Sequence, residues 1–267
     1  MSDNDLLDLE GQVALVTGAG RGAGRAMALE LARHNAGGIA VNDFEPARAE
    51  AVAAEIRAIG VKAVAVPFDV GDLAAVRAAN AKVKAEIGPA TILVNNAGNA
   101  GPSATIKLTG FFWEDDPANW GKFFHTNLFG VMNCCHTLIP NMVAARRGRI
   151  VTIISDAGRV GEARLAAYAA AKAAAGGFVR SIAKELGRFN ATSNAISLST
   201  LEPPMEPGEL AAYLASDHAK THTSRYTIRR YGKPEDVAPM VAFLCSKSAS
   251  WITGQTYPVN GGYSFAV

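Results

Sequence analysis

The sequence predicts an α/β fold in which a parallel sheet is covered by helices on both faces. Short β-branched runs alternate along the chain with alanine-rich stretches of helical length, as in strand–helix–strand units. The predicted strands lack polar alternation, which is typical of a sheet buried on both sides. Because 267 residues with 49% hydrophobic content suit one α/β unit, we expect residues 1–267 to form a single domain.

The predicted elements alternate from the first strand to the last. Seven strands are expected at Val13–Thr17, Ile39–Asn42, Ala63–Phe68, Ile92–Asn95, Ile150–Ile154, Ser193–Leu198 and Thr256–Val259. Six helices are expected between them, at Gly24–His34, Pro46–Ile59, Leu73–Ile87, Asn119–Arg146, Ala167–Phe189 and Pro234–Ser246.

Two longer connections, Gly98–Asn119 and Pro203–Tyr231, interrupt this pattern. Both follow the carboxyl ends of predicted strands, which is the edge where open α/β sheets bind ligands. We therefore expect both to border a pocket, with a partner interface as the alternative for the first. The second is expected to form a substrate lid at about residues 203–231, with a short helix over Leu210–His222.

Composition and charge exclude several classes of protein. The net charge is only +2 with no long basic run, so we expect no binding to nucleic acid and no electrostatic attachment to membranes. The acidic start of the chain is unlike a signal peptide, and no apolar stretch approaches the roughly 20 residues of a membrane span. Cys134, Cys135 and Cys245 do not suggest a disulfide framework, so a reducing, cytoplasmic location is expected. His218 and His222 lack a third ligand nearby in sequence, so no metal site is expected.

A glycine-rich segment, residues 17–24, connects the first strand to the first helix. Glycines allow a tight turn and close approach to a phosphate, which the N–H groups of the following helix can bind. This placement indicates a dinucleotide site at Gly18, Arg21, Gly22 and Ala23, with a plain strand–helix turn as the alternative.

Further candidate contacts to the dinucleotide follow the next strands. Asp43 can accept both adenosine ribose hydroxyls and would repel a 2′-phosphate, which favours NAD over NADP, although Arg21 points the other way. Asp69 suits the adenine edge, with Val70 beside it, or it is a helix N-cap. Finally, Asn96, Ala97 and Gly98 end the fourth strand, where small residues let the chain run beside the cofactor.

Tyr168 and Lys172 are four residues apart, and Ser155 precedes them by thirteen. Positions i and i+4 lie on one face of a helix, so an ammonium is held beside a phenol. A nearby positive charge favours the phenolate and lowers its pKa, which makes a tyrosine usable as an acid and base. The spacing alone also fits a helix face carrying an extended lysine.

Together these motifs resemble the short-chain dehydrogenase/reductase family over Gln12 to Gly262. Further matching segments are Asn95-Asn96-Ala97-Gly98, Asn127, Gly232-Lys233-Pro234-Glu235-Asp236-Val237, Ile252-Thr253-Gly254-Gln255 and Asn260-Gly261-Gly262. The resemblance implies a Rossmann fold and four catalytic residues. Tyr168 would be the acid/base, Ser155 would position the substrate oxygen, Lys172 would bind the nicotinamide ribose, and Asn127 would hold a water that relays protons.

The chain departs from the family pattern after the sixth predicted strand. Leu198-Ser199 stands where the family has Pro-Gly, and Pro203 replaces a threonine that meets the nicotinamide amide. The backbone of Leu201 is then expected to hold the carboxamide. The resemblance also implies a homo-oligomer, a dimer or tetramer formed through residues 127–144 and 167–187.

The leading hypothesis is an oxidoreductase that interconverts a secondary alcohol and a ketone with NAD(H). Apolar residues hint at an apolar or cyclic substrate: Phe111, Phe112, Trp113, Met205 and Leu214. One alternative is a 3-oxoacyl thioester reductase using NADPH, for which Arg146, Arg147 and Arg149 could offer a basic patch, although a solvated helix end explains them better. A catalytically silent dinucleotide sensor is a second alternative.

Overall fold

The computed structural model describes residues 5–98 and 110–265, and it contains one sheet of seven parallel strands. The strands are β1 (Val13–Val16), β2 (Gly38–Val41), β3 (Ala63–Ala65), β4 (Ala90–Asn95), β5 (Gly148–Ser155), β6 (Ala191–Leu198) and β7 (Thr256–Val259). Their order in the sheet is β3-β2-β1-β4-β5-β6-β7. The order reverses between β1 and β4, and such a switch point is where a doubly wound sheet opens a crevice for a ligand. The predicted parallel sheet is confirmed.

Helices cover both faces of this sheet. They are α1 (Gly22–Arg33), α2 (Pro46–Ala58), α3 (Leu73–Glu86), α4 (Gly121–Phe124), α5 (Gly130–Ala145), α6 (Ala157–Val160), α7 (Ala166–Leu186), α8 (Pro207–Ala215), α9 (Asp217–Thr223) and α10 (Pro234–Cys245). Helices α1, α2 and α10 pack on one face and α3, α5 and α7 on the other. Side chains along β1 alternate between the two faces of the sheet. Ala14 and Val16 pack on the side of α1, α2 and α10, whereas Val13 and Leu15 pack on the side of α3, α5 and α7.

The predicted helix Asn119–Arg146 is interrupted. Residues His125–Phe129 form a π-helical turn between α4 and α5, and such turns are frequent at functional sites. By length and hydropathy, Pro117–Ala145 could cross a bilayer, so the expectation that no stretch approaches that length is wrong. However, α5 buries Cys134, Leu138 and other residues against the sheet, as a core helix does.

Most predicted bounds differ from the observed ones by one or two residues, and two larger differences concern β3 and the predicted short helix. Strand β3 ends at Ala65 rather than Phe68. Beyond Ala65, the Asn42 side-chain amide donates hydrogen bonds to the carbonyl oxygens of Val66 at 3.1 Å and Phe68 at 3.0 Å. The predicted short helix over Leu210–His222 is two helices, α8 and α9. The chain turns at Ser216, whose hydroxyl accepts the Ala219 N–H at 3.2 Å and caps α9.

Candidate active site

The glycine-rich turn forms a cradle at the amino end of α1. Gly18 has a φ of +62°, and a Cβ added there would lie 3.0 Å from the Ala97 backbone. A Cβ on Gly24 would lie 2.1 Å from the Gly18 carbonyl oxygen, so only glycine fits at that position. Helix amino ends bind phosphate through their free N–H groups, and this close-packed backbone therefore fits the pyrophosphate of a dinucleotide.

Asn96 holds this turn from the end of β4. Its amide nitrogen donates to the carbonyl oxygens of Thr17 at 2.9 Å and Gly18 at 3.0 Å. In return, the Thr17 hydroxyl accepts the N–H groups of Asn96 at 3.0 Å and Ala97 at 3.1 Å. The predicted residues Asn96 and Ala97 thus fix the cradle as well as bordering it.

Asn42 is a site residue that the sequence does not single out. Its Oδ1 accepts the Gly18 N–H at 3.2 Å, while its amide holds the chain after β3. A polar residue at the end of a buried strand carries no distinguishing local pattern. Its role depends on two segments that meet only in the folded sheet.

Asp43 lies at the end of β2 and is already engaged by this chain. Its Oδ2 accepts the Gly20 N–H at 3.1 Å, and its Oδ1 accepts the Glu45 N–H at 2.9 Å and pairs with Arg48 at 3.0 Å. A carboxylate oxygen has two lone pairs, so Oδ2 can still accept a ribose hydroxyl. Arg21 and Arg48 line the same cleft, and Arg48 is a second cation that no motif in the sequence distinguishes.

Asp69 does not cap a helix, so that alternative is wrong; Asp72 caps α3 instead. The Asp69 carboxylate accepts the Gly71 N–H at 2.8 Å and lies 3.1 Å from His125 Nε2. Asp69 and the buried Val70 both line the cleft.

The predicted Ser–Tyr–Lys set is assembled at the other end of the cleft. Ser155 ends β5, and Tyr168 and Lys172 lie one turn apart on α7. The Lys172 side chain is only 4% exposed, and its Nζ donates to the Ile153 carbonyl at 2.8 Å. That nitrogen is 5.9 Å from the centre of the Tyr168 ring.

Burial governs the ionisation of this set. It lowers the pKa of Lys172 from 10.5 to about 8. It raises the pKa of Tyr168, and a side-chain hydrogen bond with Ser155 offsets only part of that rise. Desolvation of the phenolate therefore dominates the pKa of Tyr168 in this arrangement, and the expected lowering by Lys172 stays a prediction. A neutral Tyr168 is a proton donor near pH 7.

Asn127 lies behind Lys172 in the π-helical turn and is fully buried. Its amide nitrogen donates to the Phe123 carbonyl at 2.9 Å. A Cβ on Gly98 would lie 3.3 Å from both Asn127 Oδ1 and Lys172 Nζ. The chain after β4 therefore passes close to both polar groups, and the water relay remains a prediction.

A single cleft of about 550 Å³ joins the two ends of the site. Every predicted cofactor residue lines it: Gly18, Arg21, Gly22, Ala23, Asp43, Asp69, Val70, Asn96, Ala97, Gly98, Tyr168, Lys172 and Leu201. Ser155 also lines it, whereas Asn127 does not. Leu201 forms a parallel bridge with Gly232 through the backbone groups of its two neighbours, which turns its own N–H and C=O away from that partner.

Aromatic side chains lie beside Tyr168. Phe112 stacks on Trp120 at 5.1 Å and shares a small cavity with Tyr168. Phe111 stacks on Trp113 at 4.7 Å, and both remain substantially exposed. The earlier part of this connection, residues 99–109, lies outside the described residues. Among the described residues no group of three potential ligands could hold a metal ion.

A phosphate cradle and a Ser–Tyr–Lys set in one cleft define an oxidoreductase that uses a nicotinamide dinucleotide. The family model described as enoyl-(acyl carrier protein) reductase matches residues 18–264. The chain belongs to the short-chain dehydrogenase/reductase family.

The chain is similar to members of this family whose names give different substrates. The chain is 36% identical over 250 residues to 3-oxoacyl-[acyl-carrier-protein] reductase FabG of Staphylococcus aureus strain Mu50, covering 93% of this chain and 96% of the relative. It is 34% identical over 264 residues to 2,3-dihydro-2,3-dihydroxybenzoate dehydrogenase of Bacillus subtilis strain 168, covering 97% and 98%. A solved gluconate 5-dehydrogenase from Burkholderia cenocepacia, in complex with NADP and tartrate, superposes with a TM-score of 0.85 at 30% identity, covering 98% and 99%.

Proposed function

We propose that this protein is an NAD(H)-dependent dehydrogenase that interconverts a secondary alcohol and a ketone, with an apolar or cyclic substrate. One observation carries the proposal: Ser155, Tyr168 and Lys172 line one end of the cleft whose other end holds Asp43. When bound, the dinucleotide supplies the hydride acceptor or donor. The chain then has to hold the substrate oxygen and move one proton.

The side chains suit these two tasks. Ser155 and Tyr168 present hydroxyl groups from neighbouring elements, and both can bond to the same substrate oxygen. Tyr168 gives its proton to a ketone oxygen during reduction and takes the proton from an alcohol during oxidation. Lys172 orients the nicotinamide ribose. Together with Asn127 it transfers the proton from Tyr168 towards solvent. The cavity that Phe112 shares with Tyr168 supports an apolar or cyclic substrate.

A Tyr168→Phe variant tests this assignment. It should lose nearly all turnover, measured as nicotinamide absorbance with a panel of cyclic, aromatic, steroidal and hydroxyacyl secondary alcohols. It should keep the wild-type Kd for NADH, because the ring remains in place. A silent dinucleotide sensor predicts no turnover in the wild type with any alcohol in the panel.

The preference for NAD is part of the proposal and is supported by Asp43. Its buried carboxylate would repel a 2′-phosphate, while Gly20, Glu45 and Arg48 hold it in place. An Asp43→Ala variant should raise kcat/KM with NADP at least tenfold and free Arg48 to meet the phosphate. An Asp43→Ala variant whose NADP/NAD ratio is unchanged would refute this role.

The second candidate is a 3-oxoacyl thioester reductase using NADPH, which the similarity to FabG favours. The predicted basic patch does not support it. Arg149 is buried rather than solvated, where it donates to the carbonyls of Ser246 and Gly148. It is also the second residue of β5, about 20 Å from Ser155 at the other end of that strand. Reduction of 3-oxoacyl thioesters with NADPH, faster than any ketone with NADH, would establish this alternative.

Oligomerisation and location complete the proposal. Phe129 and Met132 are 52% and 40% exposed on the α5 side of the molecule, which supports a homo-oligomer, a dimer or tetramer, testable by light scattering. The three cysteines are free and buried, which supports a reducing, cytoplasmic location. The segment at 203–231 is proposed as the substrate lid.

A further inference from the structure

Ser199 and Tyr226 connect the turn after β6 with a segment 27 residues further along the chain. The Ser199 hydroxyl lies 2.6 Å from the Tyr226 hydroxyl, and the Thr200 N–H donates to the same phenol oxygen at 3.2 Å. Tyr226 is only 3% exposed. One buried phenol therefore holds two consecutive residues of this turn.

The turn lies beside the catalytic residues. Leu198 is paired with Ser155 in the register of β5 and β6, and the Asp156 N–H donates to the Leu198 carbonyl at 2.9 Å. Leu198, Ser199 and Leu201 all line the cleft at this end. A displacement of the turn would therefore change the wall of the cleft next to Ser155.

Tyr226 is itself well fixed. Its ring packs against Tyr263 at 5.2 Å and His222 at 5.7 Å. A Cβ on Gly261 would lie 3.3 Å from the Tyr226 ring, and the Gly261 carbonyl accepts the Ile228 N–H at 2.8 Å. The chain after β7 thus supports the tyrosine from behind.

We propose that Tyr226 and Ser199 are positioning residues that hold the turn beneath the nicotinamide. The inference rests on the proposed function, which places the nicotinamide beside Ser155. A Pro-Gly pair restricts such a turn through the fixed φ of proline, and Leu198-Ser199 has no such restriction. In this chain the hydrogen bonds of Tyr226 with Ser199 and Thr200 restrict the turn instead. Tyr226 does not line the cleft and acts through the turn.

Calorimetric titration of two ligands tests this role. NADH contains the nicotinamide, whereas ADP-ribose contains the adenosine, pyrophosphate and second ribose without it. Tyr226→Phe should weaken NADH binding roughly tenfold, equivalent to about 1.4 kcal/mol, and leave the Kd of ADP-ribose within twofold. The matched control is Tyr263→Phe, which removes a hydroxyl bonded to Glu162 at 2.6 Å and Arg225 at 2.7 Å in the same aromatic cluster. It should change neither Kd.

Other outcomes overturn the proposal. An unchanged Kd for NADH in Tyr226→Phe excludes the positioning role, and an equal loss for NADH and ADP-ribose indicates general damage to the fold. Equal effects of Tyr226→Phe and Tyr263→Phe also contradict it. If the wild type binds neither ligand, the proposed function itself fails, and this result is distinct because it appears before any substitution.

A double-mutant cycle supplies a second test. Ser199→Ala and Tyr226→Phe remove opposite ends of one hydrogen bond, so the double variant should bind NADH no more weakly than Tyr226→Phe alone. Additive losses would show that the two residues act independently and would overturn the coupling.

Discussion

The buried ammonium of Lys172 should lower the free energy of unfolding of this protein. Its pKa falls from 10.5 to about 8 because its ammonium is buried. The folded state therefore binds the proton less tightly than the unfolded chain, and the difference corresponds to roughly 3 kcal/mol of lost stability below pH 8. Between pH 8 and 10.5 the unfolded chain holds more protons, so this cost is relieved as the pH rises.

A Lys172→Met variant removes the charge and keeps a side chain of similar length. At pH 7 it should unfold with a free energy about 1 kcal/mol higher than the wild type, since the lost bond to the Ile153 carbonyl offsets part of the gain. Linkage with the two pKa values predicts that this advantage falls by about 2 kcal/mol between pH 7 and 9.5. Turnover should be abolished at every pH.

Urea unfolding at several pH values measures this difference. The buried cysteines, whose pKa values burial raises, also make stability pH-dependent, but equally in both proteins, so they cancel. Lys184→Met is the control, because Lys184 is exposed on the same helix and should give a flat difference. A difference between Lys172→Met and wild type that does not change with pH would refute the reasoning.

Two further predictions concern the cradle and the proton. Gly24→Ala places a Cβ 2.1 Å from a backbone oxygen, so it should weaken NADH binding more than 100-fold and destabilise the fold by about 1–3 kcal/mol. Gly121→Ala is the control, because its Cβ meets nothing within 4 Å and should change neither quantity. Calorimetry measures the binding and urea unfolding measures the stability. Because burial raises the pKa of Tyr168, alcohol oxidation should accelerate up to tenfold per pH unit from pH 7 to 9.5, while ketone reduction should not. Initial rates measure both, and a flat oxidation profile would contradict the role of Tyr168 as base.

The sequence predicts those parts of the site whose residues lie close together along the chain. The glycine-rich turn and the pair of Tyr168 and Lys172 each lie within one strand–helix junction or one helix. Their relative positions therefore follow from the geometry of those elements. The alternation of strands and helices likewise predicts a parallel sheet, which the structure confirms.

The parts that the sequence does not predict depend on contacts between distant segments. Asn42 becomes part of the cradle only because β2 lies between β1 and β3. The rise in the pKa of Tyr168 depends on how completely the fold excludes water, which spacing does not reveal. Tyr226 has no signature at all, since its partners are set by how residues 203–231 return to the sheet.

The contact between Tyr226 and Ser199 also divides the proposed lid. Helix α8 buries none of its residues, and it lies between Pro203 and the turn at Ser216. The later part of the segment buries Ala219, Tyr226 and Tyr231 and forms the bridge between Gly232 and Leu201. Elements with few buried contacts open at the lowest free-energy cost, so we expect the proposed closure over a substrate to be a movement of α8. We expect the remainder to stay in place and support the turn, so that covering the substrate and positioning the cofactor are tasks of different parts of residues 203–231.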